Sequence, residues 1–280
     1  MIRREFIYNA SVASLGAPWM INKYLLSKPT VKFPVGIILN TVAREMKADH
    51  VGTLRQLKEF GYQYLEGSYY GSSAAEYKRL VDDVGLKCIA GGSAMGNLDQ
   101  DLGSYLKTAE TLEYQYLVCY YPWLTSNDEI DLPASYQAAE NLNRLGRIIK
   151  QAGFSFAWHP HNWEFIPGKG GQRAFDIIMQ NTDPEFVSLE LDLYWVVKGG
   201  SDAIAEMNQY PGRTKLFHVK DMGKDEDRKI VCVGEGQIDF KQVFQYAKDH
   251  GIGYWLVENE TPESSIECAG KAIEHVNKIA

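Results

Sequence analysis

The sequence contains few cysteines, and no two of them are close enough to form a CxxC pair. Only four of the 280 residues are cysteines, namely Cys88, Cys119, Cys232 and Cys268. Zinc sites built from cysteine use closely spaced pairs, and small disulfide-stabilised domains are much denser in cysteine. The spacing therefore predicts neither a cysteine zinc site nor a disulfide framework.

Runs of basic residues and long apolar runs are also missing. The chain carries 29 basic and 36 acidic side chains, which gives a net charge of −7. A surface that binds nucleic acid needs clustered positive charge for the phosphate backbone. A membrane-spanning helix needs roughly 20 consecutive apolar residues, and no segment approaches that. We therefore expect neither nucleic acid nor a membrane as a partner.

The N-terminal segment, residues 1–32, has two interpretations. Arg3-Arg4-Glu5-Phe6-Ile7 resembles the core of a twin-arginine export signal, and the next fifteen residues, 8–22, carry no charge. The segment is only moderately apolar and lacks an Ala-x-Ala cleavage site, which favours an arm packed on the domain. The signal predicts a periplasmic, exported protein, and the arm predicts a cytoplasmic one.

Residues 33–280 alternate strands and helices eight times without a break in composition. The predicted strands are 33–40, 62–66, 86–90, 114–121, 154–161, 187–193, 214–221 and 254–258. The predicted helices are 49–60, 73–84, 98–112, 133–152, 171–180, 202–208, 240–250 and 263–279. Eight such units predict an α/β fold, a single (β/α)8 TIM barrel after the N-terminal extension. Gly91-Gly92 is predicted to permit a tight exit from the third strand.

The stretch from Phe154 to Phe165, FSFAWHPHNWEF, begins as a buried strand and ends in metal-ligand side chains. Alternation along the strand places on one face Ser155, Ala157, His159 and His161. This face is small at first and polar at the strand end. That pattern is typical of a barrel strand whose interior opens into a site. Glu164 follows on the loop that leaves the strand.

Polar side chains also end other predicted strands, namely Glu66, Asp192, His218, Lys220 and Glu258. Neighbouring strands lie roughly 5 Å apart, so the ends of strands five to eight converge on one site. Unpaired acids would repel one another there, and a divalent cation removes that cost. The pattern therefore predicts a metal site.

Each of these residues also has a purely structural interpretation. Asp192 would then cap the following turn, and Glu258 would pair with a lysine. Glu190 lies deeper in the barrel and is predicted to form an ion pair with Lys220 or Lys215.

Five motifs carry a family resemblance: HPHNWEF at 159–165, ELDLYW at 190–195, LFHVKD at 216–221, VGEGQIDF at 233–240 and Val257-Glu258. With them, the chain after residue 33 resembles the xylose-isomerase-like (sugar phosphate isomerase/epimerase) barrels. The resemblance implies one divalent ion held by Glu164, Asp192, His218 and Glu258. Three carboxylates and one imidazole favour Mn²⁺, with Mg²⁺, Co²⁺ and Zn²⁺ as alternatives.

Two departures from the ketose epimerase branch of that family bear on the site. In that branch the strand-five glutamate lies nearer the strand end, where this chain has His159 or His161. One of these imidazoles is therefore an alternative ligand, which would leave Glu164 as a substrate contact or base. The branch also has a histidine where this chain has Trp195, and an aromatic ring there suits stacking on a sugar. The predicted substrate contacts are His159, His161, Trp195, Lys220 and Glu66.

The resemblance implies a metal-dependent sugar isomerase/epimerase that abstracts a proton next to a carbonyl through an enediolate. Glu164 and Glu258 are the predicted catalytic residues, removing and returning the proton. The alternative is a lyase or hydratase that acts on 3-keto-glycosides. An abasic-site endonuclease-like phosphoesterase is disfavoured because only three of the six histidines lie at strand ends. A non-catalytic sugar-binding barrel is disfavoured by the intact carboxylates. The expected partner is a small sugar, and assembly into a homo-oligomer is compatible with the sequence.

Overall fold

The computed structural model describes residues 34–123, 131–168, 170–261 and 265–280. The arm or export signal predicted for residues 1–32 lies outside these residues. Within the described part of the chain, no helix has both the length and the apolar character needed to span a bilayer.

Eight parallel strands close into one barrel, which confirms the predicted fold. They are β1 (Val35–Ile38), β2 (Tyr64–Glu66), β3 (Lys87–Ala94), β4 (Tyr116–Tyr121), β5 (Ser155–Trp158), β6 (Ser188–Asp192), β7 (Thr214–Val219) and β10 (Tyr254–Val257). Each strand pairs with the next along the chain, and β10 returns to pair with β1. A short antiparallel hairpin of β8 (Asp221–Met222) and β9 (Ile230–Val231) follows β7.

The helices alternate with the strands. They are α1 (Ala43–Phe60), α2 (Ala74–Val84), α3 (Met95–Gln100), α4 (Leu102–Leu112), α5 (Leu132–Gln151), α6 (Asn162–Phe165), α7 (Ala174–Asn181), α8 (Leu193–Lys198), α9 (Ala203–Gln209), α10 (Phe240–Asp249) and α11 (Ile266–Ile279). A 3-10 turn, Leu39–Val42, follows β1. The helix predicted at 98–112 is divided at Asp101, whose carboxylate accepts the backbone N–H of Ser104 at 3.2 Å. The short helices α6 and α8 were not predicted, because one turn shows no apolar periodicity.

The barrel interior is apolar at the N-terminal ends of the strands. Its inner cluster comprises Ile89, Ala90, Tyr116, Val118, Ala157, Leu216 and Leu256. The Tyr254 ring packs edge-on against Tyr64 and Tyr116, with ring centroids 5.3 and 5.9 Å apart. Phe156 and Trp158 belong instead to the core between strands and helices, as alternation along β5 predicts. The buried carboxylates, imidazoles and lysine of the interior lie instead toward the C-terminal ends.

Gly91 and Gly92 do not end β3, and the predicted tight exit there is wrong. The strand continues to Ala94. A Cβ atom on Gly92 would lie 1.7 Å from the Val118 carbonyl oxygen, and one on Gly91 would lie 2.6 Å from the Tyr114 ring. These glycines therefore allow β4 and Tyr114 to approach closely.

The prediction of no disulfide is also wrong. Cys232 and Cys268 are joined by a disulfide, with their Cα atoms 5.4 Å apart and a separation of 36 positions in sequence. The bond ties the loop after β9 to α11, two segments that become neighbours only when the barrel closes. By the chain-entropy estimate, a cross-link over such a loop stabilises the fold by roughly 3–4 kcal/mol. Cys88 and Cys119 are free and buried.

The VGEGQIDF motif forms a loop held by one carboxylate. Asp221 accepts backbone N–H groups from Met222, Gly234, Gly236 and Ile238 at 2.8, 2.9, 3.0 and 3.2 Å. A Cβ atom on Gly236 would lie 2.2 Å from Asp221 Oδ1, so only glycine fits there. The motif therefore shapes the connection that follows the strand-seven site residues.

Candidate metal centre and active site

Seven buried polar side chains meet where the barrel strands end, and none is more than 4% exposed. They are Glu66, His159, Glu190, Asp192, His218, Lys220 and Glu258. The strand register brings them together, since His218 is paired with Asp192 on one side and with Leu256, two residues before Glu258, on the other. The predicted convergence of strands five to eight is present in the fold, and β2 adds Glu66.

Two fully buried carboxylates, those of Glu66 and Glu190, contact the imidazole rings and are called here the deep carboxylates. Glu190 Oε2 is 3.1 Å from His159 Nδ1 and 3.3 Å from His218 Nε2. Glu66 Oε2 is 2.9 Å from His218 Nε2. Tyr120, on the inner face of β4, donates its hydroxyl proton to Glu66 Oε1 at 2.6 Å. One nitrogen of each imidazole is thus held by a deep carboxylate.

The other nitrogen of each ring is directed to the rim of the site, which is formed by Asp192 and Glu258 where the strands end. His218 Nδ1 lies 2.7 Å from Glu258 Oε2, and His159 Nε2 lies 3.9 Å from Asp192 Oδ2. The two imidazole centroids are 4.6 Å apart. The rim therefore presents two imidazoles and two carboxylates to a common space.

Lys220 lies among the rim carboxylates. Its Nζ is 3.2 Å from Asp192 Oδ2, 2.9 Å from Glu258 Oε2 and 2.8 Å from Glu260 Oε1. It also lies 4.9 Å from the Trp195 ring centroid. The predicted ion pair between Glu190 and Lys220 or Lys215 is wrong, because Glu190 is one layer deeper on β6 and pairs with the imidazoles.

Burial and neighbouring charge set the ionisation of the cluster. Burial raises the pKa of Glu190 to about 8 and that of Asp192 to about 6. Burial opposes ionisation of Glu258 too, but the Lys220 and His218 charges outweigh it and hold its pKa well below the ordinary range. Burial opposes the charged form of His218, yet the carboxylates around it hold its pKa well above the ordinary value. The cluster thus favours cations at its centre.

The residues present fit a divalent cation. Among the described residues there are two groups of three side chains whose ligand atoms all lie within 4.8 Å of one another. The first group is His159, Asp192 and His218, and the second is Glu66, Glu190 and His218. The buried atom Glu190 Oε1 accepts no hydrogen bond from any described residue. Four carboxylates surround one lysine and two imidazoles, so the negative charge is not fully balanced within the cluster. A bound cation would balance it.

His161 adjoins the cluster without joining either ligand group. Its ring centroid is 4.9 Å from that of His159 and 5.4 Å from that of Trp195. Burial lowers the pKa of His161 to about 4, so its imidazole is neutral at physiological pH. Its buried Nδ1 has no hydrogen-bond partner among the described residues. The ring is therefore a free polar group on the wall of the site.

Glu164 is placed differently from the other predicted ligands. Its Oε2 accepts the His161 backbone N–H at 3.0 Å, at the start of α6. Among the described residues, Glu164 and Glu258 belong to neither ligand group, whereas His159 belongs to one. Glu258 nevertheless adjoins the cluster, because its Oε2 lies 2.7 Å from His218 Nδ1. The structure thus brings together Asp192, His218 and Glu258 and adds His159. The roles of Glu164 as ligand and base stay predictions.

Replacing Glu164 with glutamine is expected to change how stability depends on pH. Burial raises the pKa of this carboxyl to about 7, against an ordinary value of 4.5. The folded protein then retains a proton that the unfolded chain releases, so wild-type stability falls as pH rises from about 4.5 to 7. Glutamine keeps the oxygen that caps α6 and has no proton to lose. The free energy of unfolding of Glu164→Gln minus that of wild type should therefore increase by on the order of 3 kcal/mol as the pH rises across this window. A difference that is constant with pH would contradict the raised pKa.

Tyr120 and the pairing of Glu190 with the imidazoles were not predicted. Alternation along the fourth strand offered a signal for Tyr120, because it lies on the same inner face as Tyr116 and Val118. The orientation of Glu190 had no comparable signal. It depends on how deep the facing histidines lie, and that is decided by the stagger between strands.

Residues 54–279 match the protein family described as xylose isomerase-like TIM barrel. The chain belongs to this family. The resemblance drawn from the five motifs is thereby confirmed. The superfamily contains sugar-modifying enzymes, and its members named here are called isomerase/epimerase or dehydratase proteins.

Individual relatives differ in name and in the extent of similarity. A solved sugar phosphate isomerase/epimerase from Parabacteroides distasonis is 25% identical, with a TM-score of 0.76 over 90% of this chain and 96% of that one. The zinc-bound IolI protein is 19% identical, with a TM-score of 0.68 over 88% and 96% of the two chains, which shows the shared fold. An inosose dehydratase from Salmonella agona is 28% identical over 162 residues, covering 50% of this chain and 52% of the relative. The chain thus spans about half the length of the curated relatives it matches.

Proposed function

We propose that the protein is a divalent-metal-dependent sugar isomerase/epimerase that removes a proton next to the carbonyl of a keto-sugar or its derivative. The observation that carries this proposal is the rim arrangement, in which His159, Asp192, His218 and Glu258 face one space. Buried, oriented ligands of this kind are typical of a catalytic metal site.

The proposed ligands are two imidazoles and two carboxylates. This set is softer than the three carboxylates and one imidazole expected from the sequence, and it favours Mn²⁺, Co²⁺ or Zn²⁺ over Mg²⁺. A bound ion would supply the positive charge that acidifies the C–H bond beside a coordinated carbonyl. Metal analysis of the purified protein identifies the ion.

The side chains of the chain itself would bind the sugar and move its proton. Glu258 is ionised and lies at the rim, so we assign it as the base that takes the proton from carbon. Lys220, held between Asp192 and Glu258, would donate hydrogen bonds to sugar oxygens. Glu258 then holds that proton as a carboxylic acid and can return it to carbon, whereas neutral His161 would exchange hydrogen bonds with sugar hydroxyls. In this scheme Glu164 shapes the loop that carries His161.

A second candidate is a lyase or dehydratase that shares the same first step. The relatives named inosose dehydratase favour it. After proton removal, loss of a hydroxyl or glycosidic oxygen from the next carbon would complete an elimination. Incubation of keto-sugars and keto-glycosides with the metal-loaded protein in D₂O, followed by NMR, tests both candidates. Deuterium at the carbon next to the carbonyl with every C–O bond retained supports the isomerase/epimerase, and an unsaturated ketone formed with release of water or an alcohol supports the lyase. Absence of both overturns the proposal.

Replacing Trp195 with alanine is expected to weaken substrate binding more than catalysis. The Trp195 ring lies against both Lys220 and His161, so it lines the space above the rim. Stacking on a sugar face binds ground and transition states alike, so KM should rise roughly 10-fold while kcat changes little. The matched variant Trp195→Phe keeps an aromatic face and should recover most of the loss. A fall in kcat at unchanged KM would contradict this role.

We also propose that the protein is exported. Two observations support this: the Arg3-Arg4 segment, and the Cys232–Cys268 disulfide, a bond typical of oxidising compartments. Replacing both arginines with lysine is expected to retain the protein in the cytoplasm of a bacterial host, as measured by fractionation. Lysine preserves the charge, so an N-terminal arm would tolerate the change. An unchanged distribution between compartments would show that the segment is not a signal.

A further inference from the structure

The two histidines of the rim are held from below in the same way. His159 Nδ1 faces Glu190 at 3.1 Å, and His218 Nε2 faces Glu66 at 2.9 Å. The opposite nitrogens, His159 Nε2 and His218 Nδ1, are directed to the rim carboxylates. Glu190 Oε2 also lies 3.3 Å from His218 Nε2, so Glu66 is the nearer of two acceptors for that nitrogen. Each ring therefore stands between the deep carboxylates and the rim.

This arrangement decides which nitrogen of each ring carries a proton. A histidine that binds a metal presents a bare nitrogen to the ion, and its other nitrogen keeps a proton that needs an acceptor. Glu66 and Glu190 are fully buried, so they cannot exchange this bond for one to solvent. Glu66 is itself fixed by Tyr120, whose hydroxyl donates to the other carboxylate oxygen at 2.6 Å.

We propose that Glu66 and Glu190 are positioning residues of the metal centre. Each accepts the N–H of one imidazole and so turns the bare nitrogen of that ring toward a cation held with Asp192 and Glu258. Tyr120 fixes Glu66 in this orientation. The inference rests on the proposed metal-dependent function, and it replaces the predicted role of Glu66 as a substrate contact.

A competing arrangement uses the same side chains. Glu66, Glu190 and His218 form a ligand group of their own, deeper in the barrel. If the cation bound there, Glu66 would be a ligand, and its loss would change the set of atoms around the ion. The two arrangements therefore predict different spectra for a bound transition metal.

The test is a titration of the metal-free protein with Co²⁺, monitored by visible absorption, together with competition against a chelator. Glu66→Ala is expected to weaken Co²⁺ binding about 10- to 100-fold, the usual effect of losing such a partner. The Co²⁺ spectrum should stay that of wild type, because the ligands are unchanged. Glu66→Gln keeps an acceptor for the His218 N–H and should recover most of the affinity. Glu190→Ala should behave like Glu66→Ala.

Two tyrosines on β4 supply a matched control. Tyr120→Phe removes only the hydroxyl that fixes Glu66 and should weaken Co²⁺ binding in the same direction, by less than Glu66→Ala. Tyr116→Phe removes a hydroxyl from the same inner face near the other end of the strand, so Co²⁺ affinity should not change. These small changes keep the inference testable if the alanine variants fail to fold.

Three results would overturn the inference. Wild-type affinity in the folded Glu66 and Glu190 variants would show that neither carboxylate positions a ligand. An altered Co²⁺ spectrum in Glu66→Gln would show that Glu66 is a ligand and that the ion lies deeper. If the wild-type protein binds no divalent ion, the proposed function is overturned together with the inference. The first two results would overturn the inference alone.

Discussion

Replacing Asp192 or His218 with alanine is expected to abolish stoichiometric binding of a divalent cation. Both side chains are buried at the centre of the rim, and each provides one of four proposed ligands. A site that loses one of four oriented ligands also loses the balance of charge that holds the ion. Metal content after dialysis, measured by elemental analysis, should fall from about one ion per chain to a background level.

Stability must be separated from metal binding in this experiment. Asp192 Oδ1 accepts the Trp195 backbone N–H at 2.9 Å and so caps α8. Asp192→Asn keeps that oxygen and should bind metal poorly while remaining folded.

Asp249 and His250 are exposed at the end of α10. Alanine at either position supplies a control of the same residue type, with full metal content expected. Full metal content in both Asp192→Ala and His218→Ala would show that the proposed site is wrong.

The second large effect is expected for Glu258→Gln assayed with the metal in excess. Glutamine keeps the shape and one oxygen donor, but it lacks the basic carboxylate that a proton shuttle needs. Because the change also weakens the hold on the cation, saturation with metal is required to isolate the catalytic role. Turnover should fall at least about 100-fold, the usual scale for a general acid–base group. Deuterium incorporation next to the carbonyl should fall in parallel.

Glu260 supplies a matched control for this variant. It also pairs with Lys220, at 2.8 Å, but its side chain is 39% exposed. Glu260→Gln removes a comparable charge from the same lysine without removing the proposed base, so turnover should stay within a few-fold of wild type. If metal-saturated Glu258→Gln turned over at the wild-type rate, Glu258 would not be the base. The base would then be sought among His159, His161, Glu164 and Lys220.

Much of the fold and part of the site follow from the sequence by itself. Eight strand–helix units predict a closed parallel barrel, because helical and strand periodicities are local properties of the chain. Alternation along each strand then decides which side chains face inward. For this reason the sequence predicts that His159, Asp192, His218 and Glu258 lie at one rim.

Only the tertiary structure decided how those side chains pair. The sequence gives no measure of the stagger between strands, and that stagger sets Glu190 and Glu66 below the imidazoles and Lys220 above them. The four-residue helix α6 turns Glu164 back onto the His161 backbone, although it lies only three residues further along. The Cys232–Cys268 disulfide and the contact of Gly92 with Val118, by contrast, join segments distant in sequence. Periodicity is encoded by neighbours along the chain, whereas these contacts depend on distances set only when the barrel closes and its side chains pack.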